Sequence, residues 1–154
     1  MAEPWVIKTG ADTNAPACQS VRGWLRAYNV DRNPAFMRTF ESAPLDAAAL
    51  IVYASAEQIV VGGIVAETRI AWLKIQLMAV DPALRGRGIG SALLDEAERQ
   101  AVDRGCRYAY VDTMDYQSPE FYTARGFSIV GRIEDWDSHG HAKYFLTKNL
   151  QRQG

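Results

Sequence analysis

Val80-Asp81-Pro82-Ala83-Leu84-Arg85-Gly86-Arg87-Gly88-Ile89-Gly90-Ser91-Ala92-Leu93-Leu94 is the stretch on which the fold turns. The segment leading into it, Ile70–Val80, is rich in Ile, Leu, Val and Trp and reads as a strand that Asp81-Pro82 ends. Beyond it, Ile89, Leu93, Ala97 and Ala101 recur every four residues, which predicts a helix to about Arg104, stopped by Gly105. Asp95, Glu98, Arg99 and Asp103 fall largely off that apolar face. A strand thus feeds a glycine-rich turn, and the turn opens a helix. The first amides of a helix have no intrahelical partner, and its dipole is positive there. Glycines let a bulky anion come close to such a backbone. Arg85 and Arg87 stand in the turn, and no carboxylate occurs between Asp81 and Asp95. The arrangement suits an anion brought from outside.

The spacing narrows the anion. No Lys follows the last glycine, so the triphosphate loop Gly-x-x-x-x-Gly-Lys-Ser/Thr is absent. After Gly86 and Gly88 the third glycine of Gly-x-Gly-x-x-Gly is Ser91, which weakens a dinucleotide reading.

Upstream, Leu50–Ser55 and Ile59–Glu67 read as strands joined by Ala56-Glu57-Gln58. Trp5–Lys8 reads as a short strand, and Ala15–Tyr28 as a helix with Val21, Trp24, Leu25 and Tyr28 on one face. A second helix is expected from Asn33-Pro34, where Asn can cap and Pro suits the first turn. Downstream come a strand at Arg107–Thr113, a short helix from Ser118-Pro119 to Gly126, and strands at Phe127–Glu134 and Lys143–Leu150. Hairpins followed by strand–helix–strand predict one α/β domain over residues 1–154, with a mixed sheet of about six to seven strands and helices on both faces.

Composition agrees with a globular chain. Apolar residues are 48% of the 154, and the net charge of -1 gives no nucleic-acid footprint. The longest apolar-plus-glycine run, Ile59–Ala66, is far short of the roughly 20 residues of a membrane span. Met1-Ala2-Glu3-Pro4 carries no secretory signature, so a cytoplasmic protein is expected, with Cys18 and Cys106 as reduced thiols and no metal site.

With Arg85, Gly88 and Gly90 in place, Val80–Leu94 resembles the acetyl-coenzyme A motif of the GNAT superfamily of N-acetyltransferases: Gln or Arg, two residues, Gly, one residue, Gly or Ala. Further on, Phe121-Tyr122-Thr123-Ala124-Arg125-Gly126-Phe127 is similar to the family's later signature, a Tyr separated by three residues from Gly-Phe. The distance between the two motifs also fits. The resemblance implies the GNAT fold, with a splay between the fourth and fifth strands, and acetyl-coenzyme A as co-substrate. It implies that the loop amides hold the pyrophosphate and that Met78-Ala79-Val80 pairs with the pantetheine arm. Coenzyme contacts are thus expected at Met78, Ala79, Val80, Arg85, Gly86, Arg87, Gly88, Ile89, Gly90, Ser91, Asp115, Gln117 and Tyr122. It also implies that Tyr122 is the general acid; a phenol of pKa about 10 can protonate the leaving sulfur at neutral pH. Two positions depart from the pattern. Asp115 stands where the family often has Asn, and Lys74, with Gln76 next on the same face, stands where many relatives carry a basic Glu.

An amine acceptor is mostly protonated at pH 7, so a base is needed. Glu67, Asp112, His139 and His141 are candidates, each with a solvated surface role as the plainer alternative. Asp135–Leu150 resembles a C-terminal hairpin that borders the acceptor site in uncharacterised bacterial members. His141 is preferred, because imidazole titrates near neutrality. Trp24, Tyr28 and Glu67 are the candidate acceptor contacts. Trp24, Tyr28, Trp72 and Trp136 could together line an acceptor cleft, but as a group they read first as core or homodimer contacts. The expected activity is acetyl transfer to an amine of a small molecule, or of a peptide or protein. A non-catalytic acetyl-coenzyme A sensor is the alternative.

Overall fold

The computed structural model describes residues 5–42 and 46–151, so Met1–Pro4 lie outside the described residues. It comprises two compact units, residues 1–43 and 44–154. In the first, α1 (Pro16–Arg32) and α2 (Pro34–Ser42) form a helical pair. Asn33 starts α2 as expected: its Oδ1 accepts the Phe36 amide at 3.2 Å. Phe36 and Phe40, one turn apart, meet edge to face at 5.0 Å. The strand expected at Trp5–Lys8 is absent, and this stretch joins no sheet. Four β-prone residues become a strand only where an edge accepts their hydrogen bonds, which composition alone cannot supply.

The second unit is a six-stranded mixed sheet flanked by helices. Its elements are β1 (Ala48–Ala56), β2 (Ile59–Arg69), β3 (Trp72–Val80), α3 (Ile89–Asp103), β4 (Tyr108–Met114), α4 (Pro119–Thr123), β5 (Ser128–Ile133) and β6 (Lys143–Asn149). The strand order is β1-β2-β3-β4-β6-β5. β3 and β4 run parallel, joined by the crossover through α3, while the other neighbours are antiparallel. The β1–β2 turn uses two residues with positive φ, Glu57 at 48° and Gln58 at 69°, which matches the twist of a tight hairpin.

α3 lies across β1, β2 and β3. Leu93, Leu94, Ala97 and Ala101 are buried there against Ile64, Leu73, Ile75 and Leu146. The helix ends at Gly105, φ 89°, where the Gly105 amide donates to Val102 O (2.9 Å) and the Cys106 amide to Ala101 O (2.9 Å). One expectation fails on this helix. Glu98 is not on a polar face but is 5% exposed, and Lys148 of β6 donates to its Oε2 at 2.7 Å. The apolar stripe is widened by Leu94, one turn before Glu98, and the cation that makes burial tolerable comes from a strand 50 residues away.

Candidate active site

The sheet opens between β3 and β4. Their pairing runs from Trp72 opposite Tyr108 to Ile75 opposite Val111 and then stops. An irregularity on the other side of β3 coincides with that point. Opposite β2, Leu77 faces Val65 and Ile75 faces Ala66, so Gln76 is an extra residue. A bulge bends its strand, and this one falls where the two strands part. Beyond it β3 pairs only with β2, up to Val80 opposite Gly62, while β4 stays paired with β6 to Met114 opposite Lys143. Residues 76–80 therefore present an inner backbone edge without a β4 partner. Met78, Ala79 and Val80 lie on it. The splay, expected between the fourth and fifth strands, is the same one; the absent strand at Trp5–Lys8 makes it β3 and β4.

At the end of that edge stands the glycine loop. Asp81 Oδ1 accepts the Ala83 amide (2.9 Å), closing a short turn at Pro82–Leu84, and Arg85 Nε donates back to Val80 O (3.2 Å). Gly86 and Gly88 adopt φ of 75° and 83°, and a Cβ at either would meet nothing within 4 Å. Their conformation, not crowding, calls for glycine, and the space beside them is open. Gly88 caps α3 with no side-chain hydrogen bond, and the first turn has no acidic residue. Gly90 differs: a Cβ there would press on Met78 (3.2 Å) and Phe121 (3.4 Å). Arg125 reaches Ser91 Oγ in the first turn of α3 and lies over the Phe121 ring at 5.7 Å. Sequence reasoning missed this third cation. It stands inside the quoted Tyr-to-Gly-Phe motif, but spacing does not reveal that it reaches across to α3.

Tyr122 is held from three sides. Its carbonyl accepts the Arg125 amide (3.0 Å) and the Phe127 amide (3.1 Å), a return made possible by Gly126 at φ 88°. Its ring lies edge-on to Phe121 (5.2 Å) and Phe127 (5.6 Å). Its hydroxyl reaches over to the Met78 sulfur of β3 at 3.6 Å. The residue is 6% exposed, and burial pushes its pKa above the usual phenol value.

The far side of the opening is the end of β4. Gln117 turns its Oε1 onto the Met114 amide (2.9 Å). Asp115 Oδ1 lies 3.0 Å from His141 Nδ1, and its Oδ2 accepts the Ala142 amide at 3.0 Å. The Ala142 amide, and then His141, hold the Asp115 carboxyl below the usual carboxylate range. Asp112 is engaged by Lys143 Nζ (2.7 Å) and the Tyr110 hydroxyl (3.0 Å). Burial, then that bond to Asp112, pushes Tyr110 up to about 12. Glu67 accepts from Gln76 Nε2 at 3.0 Å, beside the bulge. His139 is turned onto its own loop, with Nδ1 2.8 Å from Asp137 O.

The model of the acetyltransferase (GNAT) family matches residues 18–127. The chain belongs to the GNAT family. It is 33% identical over 131 residues to the blasticidin-S acetyltransferase of Streptomyces morookaense, covering 82% of this chain and 96% of that protein. It is 37% identical over 129 residues to an acetyltransferase of Agrobacterium fabrum, covering 84% and 87%. A crystal structure of an acetyltransferase from Bacillus cereus superposes with a TM-score of 0.71 at 25% identity, covering 94% of this chain and 97% of that one.

This GNAT chain is therefore an acetyl-coenzyme A-dependent N-acetyltransferase. Its residues fit the coenzyme on local grounds: an uncapped helix start, two left-handed glycines with open space beside them, and an unpaired strand edge leading to both. Among the described residues no group of His, Cys, Asp and Glu could hold a metal ion, and no helix is long and apolar enough to cross a membrane. Two candidate acceptor contacts, Trp24 and Tyr28, lie on α1 in the first unit. Glu67 and the other candidates lie in the second.

Proposed function

We propose that the chain transfers the acetyl group of acetyl-coenzyme A to a primary amine of a small-molecule acceptor, with Tyr122 as general acid and His141 as base. The family match crosses from the first unit into the second, so we read residues 1–154 as one transferase domain. The observation that carries the reading is the Tyr122 hydroxyl against Met78 of the open β3 edge. The coenzyme supplies the activated thioester. Backbone amides at Gly86–Ser91, with Arg85, Arg87 and Arg125 close by, would take the pyrophosphate, and Met78–Val80 would pair with the pantetheine. His141 takes a proton from the acceptor nitrogen as the C–N bond forms. Tyr122 gives its proton to the sulfur as the C–S bond breaks, and is reprotonated from solvent. Burial supports this role for Tyr122, because it keeps the phenol in the protonated form.

A small acceptor is favoured because a relative of nearly the same length acts on blasticidin-S. The test is thiol release from acetyl-coenzyme A across small amines, including blasticidin-S, and across peptides with free N-termini or lysines. Turnover confined to peptides would overturn the small-molecule reading. Binding of coenzyme with no turnover on any acceptor would favour the sensor.

A further inference from the structure

We infer that Asp115 is the positioning residue of His141, fixing its proton on Nδ1 and leaving Nε2 as the atom that accepts the acceptor's proton; this rests on the base role proposed above. The argument begins with the backbone. β4 ends at Met114 opposite Lys143, so residues 115 and 141 fall together at the open end of the sheet. The Asp115 amide donates to Ala142 O (2.9 Å), and Asp115 Oδ2 accepts the Ala142 amide (3.0 Å). The carboxylate is thereby clamped, and its other oxygen is aimed at His141 Nδ1 at 3.0 Å. An ionised carboxylate only accepts hydrogen bonds, so Nδ1 must be the donor and the neutral ring keeps its lone pair on Nε2.

One further contact meets the ring, and several hold the backbone that carries it. Tyr116 meets it edge-on at 4.9 Å. Asp137 Oδ1 accepts the His141 amide (3.1 Å), and the Trp136 amide donates to His141 O (2.8 Å). Asp135 Oδ1 accepts the Gly140 amide (2.7 Å), where φ is 91°. The charged and titratable groups around the ring are thus Asp115 and Tyr116 from the end of β4 and Asp137 from its own loop. Lys143, two residues on, is held by Asp112. The His141 side chain stays about half exposed (48%), held at Nδ1 by Asp115 and along one edge by Tyr116 while the rest of the ring is open to an acceptor. The Asp at position 115 then has a purpose of its own: it orients the base.

Nitrogen NMR of histidine-labelled protein reads the tautomer directly, with the His141→Ala spectrum assigning the two histidines. The wild type should show neutral His141 protonated on Nδ1. In Asp115→Asn the side-chain carbonyl can still accept the Ala142 amide, which turns the NH2 toward Nδ1 and moves the ring proton to Nε2. Turnover should then fall about 10²-fold, the lower end of the range for general acid–base catalysis, with coenzyme affinity unchanged. The double variant with His141→Ala should be no slower than His141→Ala alone. An Nε2-protonated His141 in the wild type overturns the proposal without recourse to any variant. So does an Asp115→Asn protein that binds coenzyme more weakly but keeps its tautomer, since Asp115 would then be a coenzyme contact. If His141→Ala keeps the wild-type rate, the base reading fails and the proposal with it. If His141→Ala is slow and Asp115→Asn is not, only the proposal fails.

Discussion

Replacing Tyr122 by Phe removes one oxygen and its proton and nothing else. In the structure that oxygen touches the Met78 sulfur at 3.6 Å, while the ring is held edge-on by Phe121 and Phe127. A hydroxyl–thioether contact is weak, and the variant no longer desolvates a hydroxyl. The two effects oppose each other, so the unfolding free energy should move by no more than about 1 kcal/mol. Turnover should fall about 10²-fold, which is about 2.7 kcal/mol of barrier at 1.36 kcal/mol per decade. The pH dependence follows from the direction of the shift. Burial raises the Tyr122 pKa, so the proton-bearing form persists past the ordinary phenol value, and Tyr122 should add no falling limb to the rate profile below about pH 10. The assay is thiol release at saturating acceptor, with calorimetry for coenzyme affinity and a pre-steady-state trace to show that chemistry limits turnover. A Phe variant at the wild-type rate, with chemistry limiting, would mean that the hydroxyl is idle.

Other substitutions probe other parts of the site. Gly88→Glu should fold, since a Cβ there meets nothing within 4 Å and the strain of φ 83° costs only about 1–2 kcal/mol, yet it should abolish coenzyme binding by placing a carboxylate in the anion site. Calorimetry finding wild-type affinity would discard the loop assignment. His141→Ala should lower turnover about 10²-fold near neutral pH and leave coenzyme affinity nearly unchanged; an unaltered rate throughout that range would remove His141 from the site. Lys148→Met should cost about 3 kcal/mol of stability by taking the cation from buried Glu98, and denaturant unfolding showing less than about 1 kcal/mol would make the pair incidental.

Local chemistry explains why so much of this protein could be read from the chain. The glycine turn, the cap at Asn33 and the stop at Gly105 are set by residues within a few positions of one another, so sequence determines them. The same holds for the alternation of strands with the helix at Ile89–Asp103. The motif around Tyr122 was legible for that reason, and the three residues between it and Gly126 are what let the Phe127 amide return to Tyr122 O. What tertiary structure alone decided are the partners distant in sequence. The bulge at Gln76 is visible only in the register between β2 and β3. Burial of Glu98 depends on Lys148, 50 residues away, and the clamp of Asp115 on His141 spans 26. The missing strand at Trp5–Lys8 belongs with them, because a strand exists only once an edge accepts its hydrogen bonds. Periodicity reports which face of an element is apolar. It cannot report which charged group another element will bring to that face, and that pairing decides whether a carboxylate is solvated, buried or set to orient a base.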